Sequence, residues 1–260
     1  MLASITIPVY NQRPHLLREA VASALCQTEP VEVVVIDDGC DAEHAPRNIL
    51  TTLLDKIRLV EHGTNRGIAA ALNTGIKAAS APWWCWLSSD DVVFPDKVQV
   101  QKAHLDSVGG LCGFHSYFRR DVTTDLVNLS STPLWTCRIK QNRALFSDCW
   151  INGSTVMIHQ RVLDEVGPFD ESYRYGQDWE MWCRIGVGHR WHAVPCGLCT
   201  GDHPQPGCPR CHGSKTWPLG ARTIGGNLTE LIEHDAEKRQ LRDAENLRIV
   251  RQYARMRRRA

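Results

Sequence analysis

Between residues 4 and 87, short β-type runs alternate with helical stretches, and this alternation restricts the fold more than any other feature of the chain. Residues 4–9 form a short β-type run closed by Pro8 and Tyr10-Asn11. Over 14–27, Leu16, Leu17, Ala20, Ala24 and Leu25 recur at three- and four-residue spacing, the apolar face of a helix. Residues 31–36 are apolar but for one acid, as in a parallel strand covered on both faces, and stop at Asp37-Asp38-Gly39. The pattern predicts a second helix over 45–55, a strand over 57–61, an alanine-rich helix over 67–79 and a strand over 83–87. Strands separated by such helices imply right-handed crossovers and an open, mostly parallel α/β sheet flanked by helices. Ligands of such sheets bind outside the carboxyl ends of the strands. The polar clusters fall there: Tyr10-Asn11, Asp37-Asp38 and Ser88 to Asp91.

The second half is less regular. A strand is expected over 155–158, a helix over 160–166, a turn at Gly167-Pro168 and a Trp- and acid-rich helix over 177–185. Residues 196–220 carry Gly, Pro and Cys without periodicity, so they read as a loop that needs an external brace. From Asn227, capping-box spacing to Glu230 and a partial apolar stripe (Leu228, Leu231, Ile232, Leu241, Ala244, Leu247, Val250) predict a C-terminal amphipathic helix. The expected units are a domain over 1–195, a Cys-rich loop over 196–220 and a helix with a basic tail over 221–260.

A chain of 260 residues holds one large α/β domain with appendages, and its formal net charge of +1 argues against a surface committed to nucleic acid. The N-terminus lacks the basic leader and long apolar stretch of a secretory signal, and no apolar run nears the roughly 20 residues that cross a bilayer. A cytoplasmic location and reduced thiols follow as expectations, with the sequons at Asn128, Asn152 and Asn227 accidental. Of the 11 cysteines, seven stand singly and four crowd into residues 196–211.

No glycine-rich dinucleotide fingerprint follows the first strand, and no phosphate-cradling loop ending in Lys-Ser/Thr occurs. Phosphate, if bound, is held through a metal or through scattered side chains. Asp90 and Asp91 suit a hard divalent cation, Mg²⁺ or Mn²⁺, that bridges a diphosphate; the plainer alternative is a solvated strand end or helix cap before Pro95. Cys196-x2-Cys199 and Cys208-x2-Cys211 have the spacing of a closed, tetrahedral, structural Zn²⁺ site. His203 or His212 can replace one thiolate; disulfides and free thiols remain the alternatives. Six arginines and no acid over 247–260 form either a solvated helix end or a peripheral contact with an anionic membrane face.

The segments "SITIPVYNQ", "VEVVVIDDGCDA", "NRGIAAALNTGIKAA", "WWCWLSSDDVVFPDKV" and "INGSTVMIHQRVLDEVGPFDESYRYGQDWEMWCRI" occur in that order. Together they resemble the family 2 glycosyltransferases of the GT-A fold over roughly residues 3–195. The resemblance implies a nucleotide-diphosphate sugar donor lying along Pro8, Tyr10 and Asn11, with Asp38 bonding the base and Asn65, Arg66 and Asn73 beside the base and sugar diphosphate. "SSDD" takes the place of the family's D-x-D element, with Ser88 where the first acid usually stands and Asp90 at the position that touches the metal. Asp178 matches the base that takes the proton from an acceptor hydroxyl in an inverting displacement. Trp179 and Trp182 are then either acceptor platforms or core. The acceptor class (sugar, lipid-linked or protein) stays open, and no specific nucleic-acid partner is expected. A non-catalytic scaffold carrying a zinc loop is the second reading. A zinc-containing nucleic-acid binder is the third, disfavoured by the strand–helix alternation.

Overall fold

The computed structural model describes residues 1–115, 118, 119, 127, 128, 145, 146, 149, 151–194, 244, 248, 249 and 251–253. Strand β1 (Ala3–Val9) leads to α1 (Pro14–Leu25), β2 (Val31–Asp37), a single-turn α2 (Pro46–Ile49) and β3 (Arg58–Glu61). There follow α3 (Ile68–Ala78), β4 (Trp83–Trp86), α4 (Lys97–Val108), β5 (Cys112–His115), and the short pair β6 (Phe118–Arg119) and β7 (Val127–Asn128). The described chain continues with β8 (Val156–His159), α5 (Gln160–Val166), α6 (Gln177–Gly188) and β9 (His192–Val194). The main sheet has the order β3-β2-β1-β4-β8-β5-β9. Its first four strands are mutually parallel, with Ala3 opposite both Val31 and Trp83. Strand β8 runs antiparallel to β4 and β5, so β5 and its parallel neighbour β9 point the same way as β4.

Alternation along β4 supplies both cores. Trp83, Cys85 and Leu87 face α1 and α4, packing with Leu17, Val21, Val98 and Leu105, whereas Trp84 and Trp86 face α3 and α6, packing with Leu72, Phe169 and Trp182. Helix α3 lies hard against β1: a Cβ at Gly75 would come within 2.1 Å of Thr6 Cγ2.

Three sequence expectations change. The helix expected over 45–55 is only α2 and a separate 3₁₀ turn at Leu54–Lys56, with Thr51 and Thr52 in the turn between them. Pro8 does not end β1 but lies inside it, opposite Ile36. Its missing N–H falls on the β4 side, beyond Thr6↔Trp86 where β4 stops pairing, so no ladder bond is lost. Helix α4 and strands β5 and β9 are additions to the expected elements. The Cys-rich loop and most of the C-terminal helix lie outside the described residues. Of that helix, Ile249 and Tyr253 are buried, and Tyr253 stacks on Phe146 at 5.2 Å. Arg248 lies over the Tyr173 ring at 4.3 Å and 4.0 Å from Asp170. Among the described residues no helix is long and apolar enough to cross a membrane.

Candidate active site

Parallel strands deliver their following loops to one edge of the sheet. After β1, Tyr10 is 55% exposed and Asn11 takes a left-handed conformation (φ 47), a strain that Asn tolerates better than most residues. Asn11 Oδ1 accepts from Asp41 N (3.0 Å), and its backbone N–H donates to Cys40 Sγ (3.2 Å). Burial, with Asp37 and Asp41 nearby, pushes the Cys40 thiol up to about 12, so it stays protonated. Gln12 Nε2 reaches across to Ser89 Oγ (3.2 Å) and joins this loop to the one after β4.

After β2, both acids are consumed by the fold. Asp37 Oδ1 accepts from Cys40 N (2.8 Å). Asp38 Oδ1 meets His62 Nδ1 (2.7 Å) and accepts from Arg66 N (3.0 Å), while its Oδ2 accepts from Gly67 N (2.9 Å). The second ring nitrogen of His62 meets Thr74 Oγ1 (2.9 Å). Asp38 is only 3% exposed and holds the entrance to α3, where Gly67 takes φ 90. Gly39 (φ 78) has no room for a side chain, since a Cβ would lie 2.3 Å from the Thr64 carbonyl carbon.

After β4 the balance is reversed. Asp91 accepts from Ser154 Oγ (2.5 Å), and Ser154 Oγ accepts from Ser88 N (3.0 Å). Burial raises the Asp91 carboxyl to about 6 despite the serine bond, with a further push from Asp90. Asp90 is also raised by burial, and among the described residues its carboxylate meets only its own backbone amide. Ser154 belongs to a 3₁₀ turn, Gly153–Thr155, started by Asn152, whose Oδ1 accepts from Ser154 N (2.8 Å). Beneath it, buried Lys97 donates to Val156 O (3.2 Å) and Gln101 Oε1 (2.8 Å), and Gln101 donates to Thr155 O (2.8 Å). Two desolvated acids, neither paired with a cationic side chain among the described residues, could hold a hard divalent cation that takes its other oxygen ligands from water or a bound anion. Among the described residues no cluster of three or more metal-binding side chains exists, so Asp90 and Asp91 are the whole protein share of such a site there.

Asp178 lies in the first turn of α6, after Gly176 (φ 72). Three residues separate α6 from β9, which is parallel to β5, so the N-terminus of α6 opens on the same carboxyl edge. Asp178 is partly buried, and burial raises its carboxyl above the ordinary aspartate range while the bond from Trp179 N (2.8 Å) opposes this. Glu180 is spent: it binds Arg184 through both oxygens (3.1 and 2.7 Å) and accepts from Tyr253 OH (3.2 Å). Trp179 and Trp182 are core, their indole N–H groups donating to Leu145 O (2.6 Å) and Ile151 O (3.2 Å), which removes both as acceptor platforms.

The end of β1 with Pro8, the loops bearing Tyr10, Asn11, Asn65, Arg66, Asp90 and Asp91, and the first turn of α6 with Asp178 therefore share one edge. Asp38 and Asn73 (5% exposed) lie beneath it. Cys196, Cys199, Cys208 and Cys211 lie outside the described residues. Sequence reading missed Gln12, His62, Ser154, Glu171 and Arg184; "INGST" and "GPFDE" were visible as segments, but nothing in them marks a serine or glutamate as a brace.

The open, mostly parallel α/β sheet thus carries acids after two of its parallel strands and a third acid on a helix that opens on the same edge. Residues 4–167 match the family described as Glycosyl transferase family 2, and the chain belongs to that family. An uncharacterized glycosyltransferase of Rickettsia bellii is 35% identical over 201 residues, 71% of this chain and 27% of that protein. An Escherichia coli protein, the UDP-Glc:alpha-D-GlcNAc-diphosphoundecaprenol beta-1,3-glucosyltransferase WfgD, is 24% identical over 76% of this chain and 74% of its own. The chain spans 27% to 58% of the length of the Rickettsia relatives it matches. The fold is shared with TarS of S. aureus, solved with UDP-GlcNAc, at a TM-score of 0.61 and 18% identity over 75% of this chain and 56% of that one.

Proposed function

We propose that this chain transfers a sugar from a nucleotide-diphosphate sugar to an acceptor hydroxyl by direct, inverting displacement with a divalent cation. The observation that carries this reading is the contrast between Asp90, desolvated and without a counter-charge among the described residues, and Asp38, engaged by three donors, in the loops after the two strands that flank β1. The donor lies along Pro8, exposed Tyr10, Asn11 and the Asn65-Arg66 turn, whose wall Asp38 shapes from below. Asp90 and Asp91 hold Mg²⁺ or Mn²⁺, which when bound neutralises the departing diphosphate. Ser154 fixes Asp91 and the Ser88 amide. Asp178, held partly from water, takes the acceptor proton as the hydroxyl attacks the anomeric carbon. Uridine diphosphate sugars head the candidates, because WfgD is named for UDP-Glc and TarS was solved with UDP and UDP-GlcNAc. The acceptor class remains sugar, lipid-linked or protein.

The test is sugar transfer and donor hydrolysis over a panel of nucleotide sugars, with and without Mn²⁺. Metal-dependent release of nucleoside diphosphate supports the reading. Tight nucleotide binding with no turnover on any donor replaces it with a binding scaffold.

A structural zinc on Cys196, Cys199, Cys208 and Cys211 is part of the proposal on spacing alone. Elemental analysis of protein purified without added metal is expected to find one zinc per chain. Finding none, or finding it retained after Cys208→Ser with Cys211→Ser, removes the site.

A further inference from the structure

We infer that Asn73 is a positioning residue for Asp178 rather than a donor ligand: it clamps the segment over 166–171, and that segment ties α3 to α6. The inference rests on the assignment of Asp178 as base. Asn73 Oδ1 accepts from Phe169 N (2.8 Å), and its Nδ2 donates to Phe169 O (3.0 Å) and Glu171 Oε1 (2.9 Å). Both amide hydrogens are thus committed, and the remaining lone pair does not suit an anionic diphosphate. The orientation is forced, since flipping the amide would set oxygen against a carbonyl and a carboxylate.

The other side of the same segment is bolted to α6. Arg184 Nη1 donates to Val166 O (2.7 Å) and Pro168 O (2.9 Å), while its other nitrogens bind Glu180 one helical turn back. Between the two bolts the Phe169 ring lies against Trp84 and Trp86 of β4 at 6.2 and 6.4 Å and against Trp182 of α6 at 6.0 Å. The strand that delivers Asp90 and the helix that delivers Asp178 thereby meet on one ring. Asp38 fixes the start of α3 through Arg66 and Gly67, so the clamp also refers Asp178 to the donor wall. Arg66, 3.9 Å from Glu171, spans the same joint on its exposed side.

A misplacement of about 1 Å costs roughly 10²-fold in rate, so loosening the clamp should reach turnover and spare donor binding. Asn73→Asp keeps the acceptor for Phe169 N but sets a carboxylate against Phe169 O and Glu171. Single-turnover transfer is expected to fall about 10²-fold with donor affinity, measured by calorimetry with UDP-sugar and Mn²⁺, within about twofold of wild type. Adding Glu171→Gln, which supplies an N–H to the new carboxylate, is expected to recover about tenfold. Should Asn73→Asp fail to fold, Glu171→Ala at the half-exposed end of the clamp decides: about threefold to tenfold slower transfer, unchanged donor affinity, and faster amide hydrogen exchange over 177–182. Equal losses in donor affinity and transfer would make Asn73 a ligand and overturn the inference. So would Glu171→Ala with wild-type transfer and exchange. If the wild-type chain transfers no sugar yet the exchange difference persists, the enzymatic reading falls and the clamp stands.

Discussion

Asp37-Asp38 and Asp90-Asp91 are the same two-letter signal, each pair closing a buried parallel strand. The structure uses them in opposite ways. The first pair accepts from backbone amides of three residues and a histidine, and is 6% and 3% exposed. The second pair is partly buried and almost without compensation: Ser154 is the one described side chain that donates to it, and both carboxyls are pushed toward the neutral form. A carboxylate surrounded by donors belongs to the fold. One desolvated and left short of partners is costly to the fold, and the deficit is removed by what binds there.

The widest separation between the two kinds of acid should appear at Asp178, which like Asp90 is desolvated. Asp178→Asn is expected to slow single-turnover transfer by about 10²–10⁴-fold without weakening donor binding. Its carboxyl is raised in the folded state, so the neutral form is favoured by folding. That contribution to stability is complete below the unfolded pKa and is lost as pH rises through the folded one. The asparagine variant should therefore be the more stable at neutral pH, with the advantage vanishing in acid. For wild type, the acid limb of the rate profile should lie above the ordinary aspartate value of about 3.9. A limb at that value, or equal melting at neutral pH, contradicts the assignment.

Asp38→Ala tests the opposite case. It strips three donors of a buried acceptor and is expected to cost about 4 kcal/mol, near 10³-fold in the folding equilibrium, by urea denaturation. Loss of nucleotide affinity with unchanged stability would return Asp38 to the ligands. Asp90→Asn is expected to weaken Mn²⁺-dependent nucleoside diphosphate binding about 10²-fold while leaving stability level or slightly higher. Undiminished affinity in calorimetry would remove Asp90 from the metal. The smallest effect belongs to Ser154→Ala, which keeps both acids and only releases them: about fivefold weaker Mn²⁺-dependent binding. An effect as large as that of Asp90→Asn would mean that Ser154 itself touches the ligand.

The parallel half of the sheet was legible because strands covered on both faces are unbroken apolar runs and their helices keep a helical period. Helix α4 was hidden because two of its four buried positions, Lys97 and Gln101, are polar and erase the apolar face. The direction of β8 was hidden because hydrophobic periodicity carries no direction. The site's acids were legible as motifs, but brace and ligand were not told apart. The partners that decide it are distant in sequence: Asp38 with Gly67, Asp91 with Ser154, Asn73 with Phe169.

The reversal of β8 also says where this chain can be lengthened. Every other strand of the main sheet discharges toward the candidate site, so added residues after β1, β2 or β4 would crowd that edge. At β8 the amino end faces the site and supplies Ser154, while the carboxyl end, at His159, turns away to the opposite rim. A tag, a reporter or a fused domain placed in the turns of that far rim would stand clear of the candidate site. The reversed strand thus gives the molecule one side for chemistry and one for attachment.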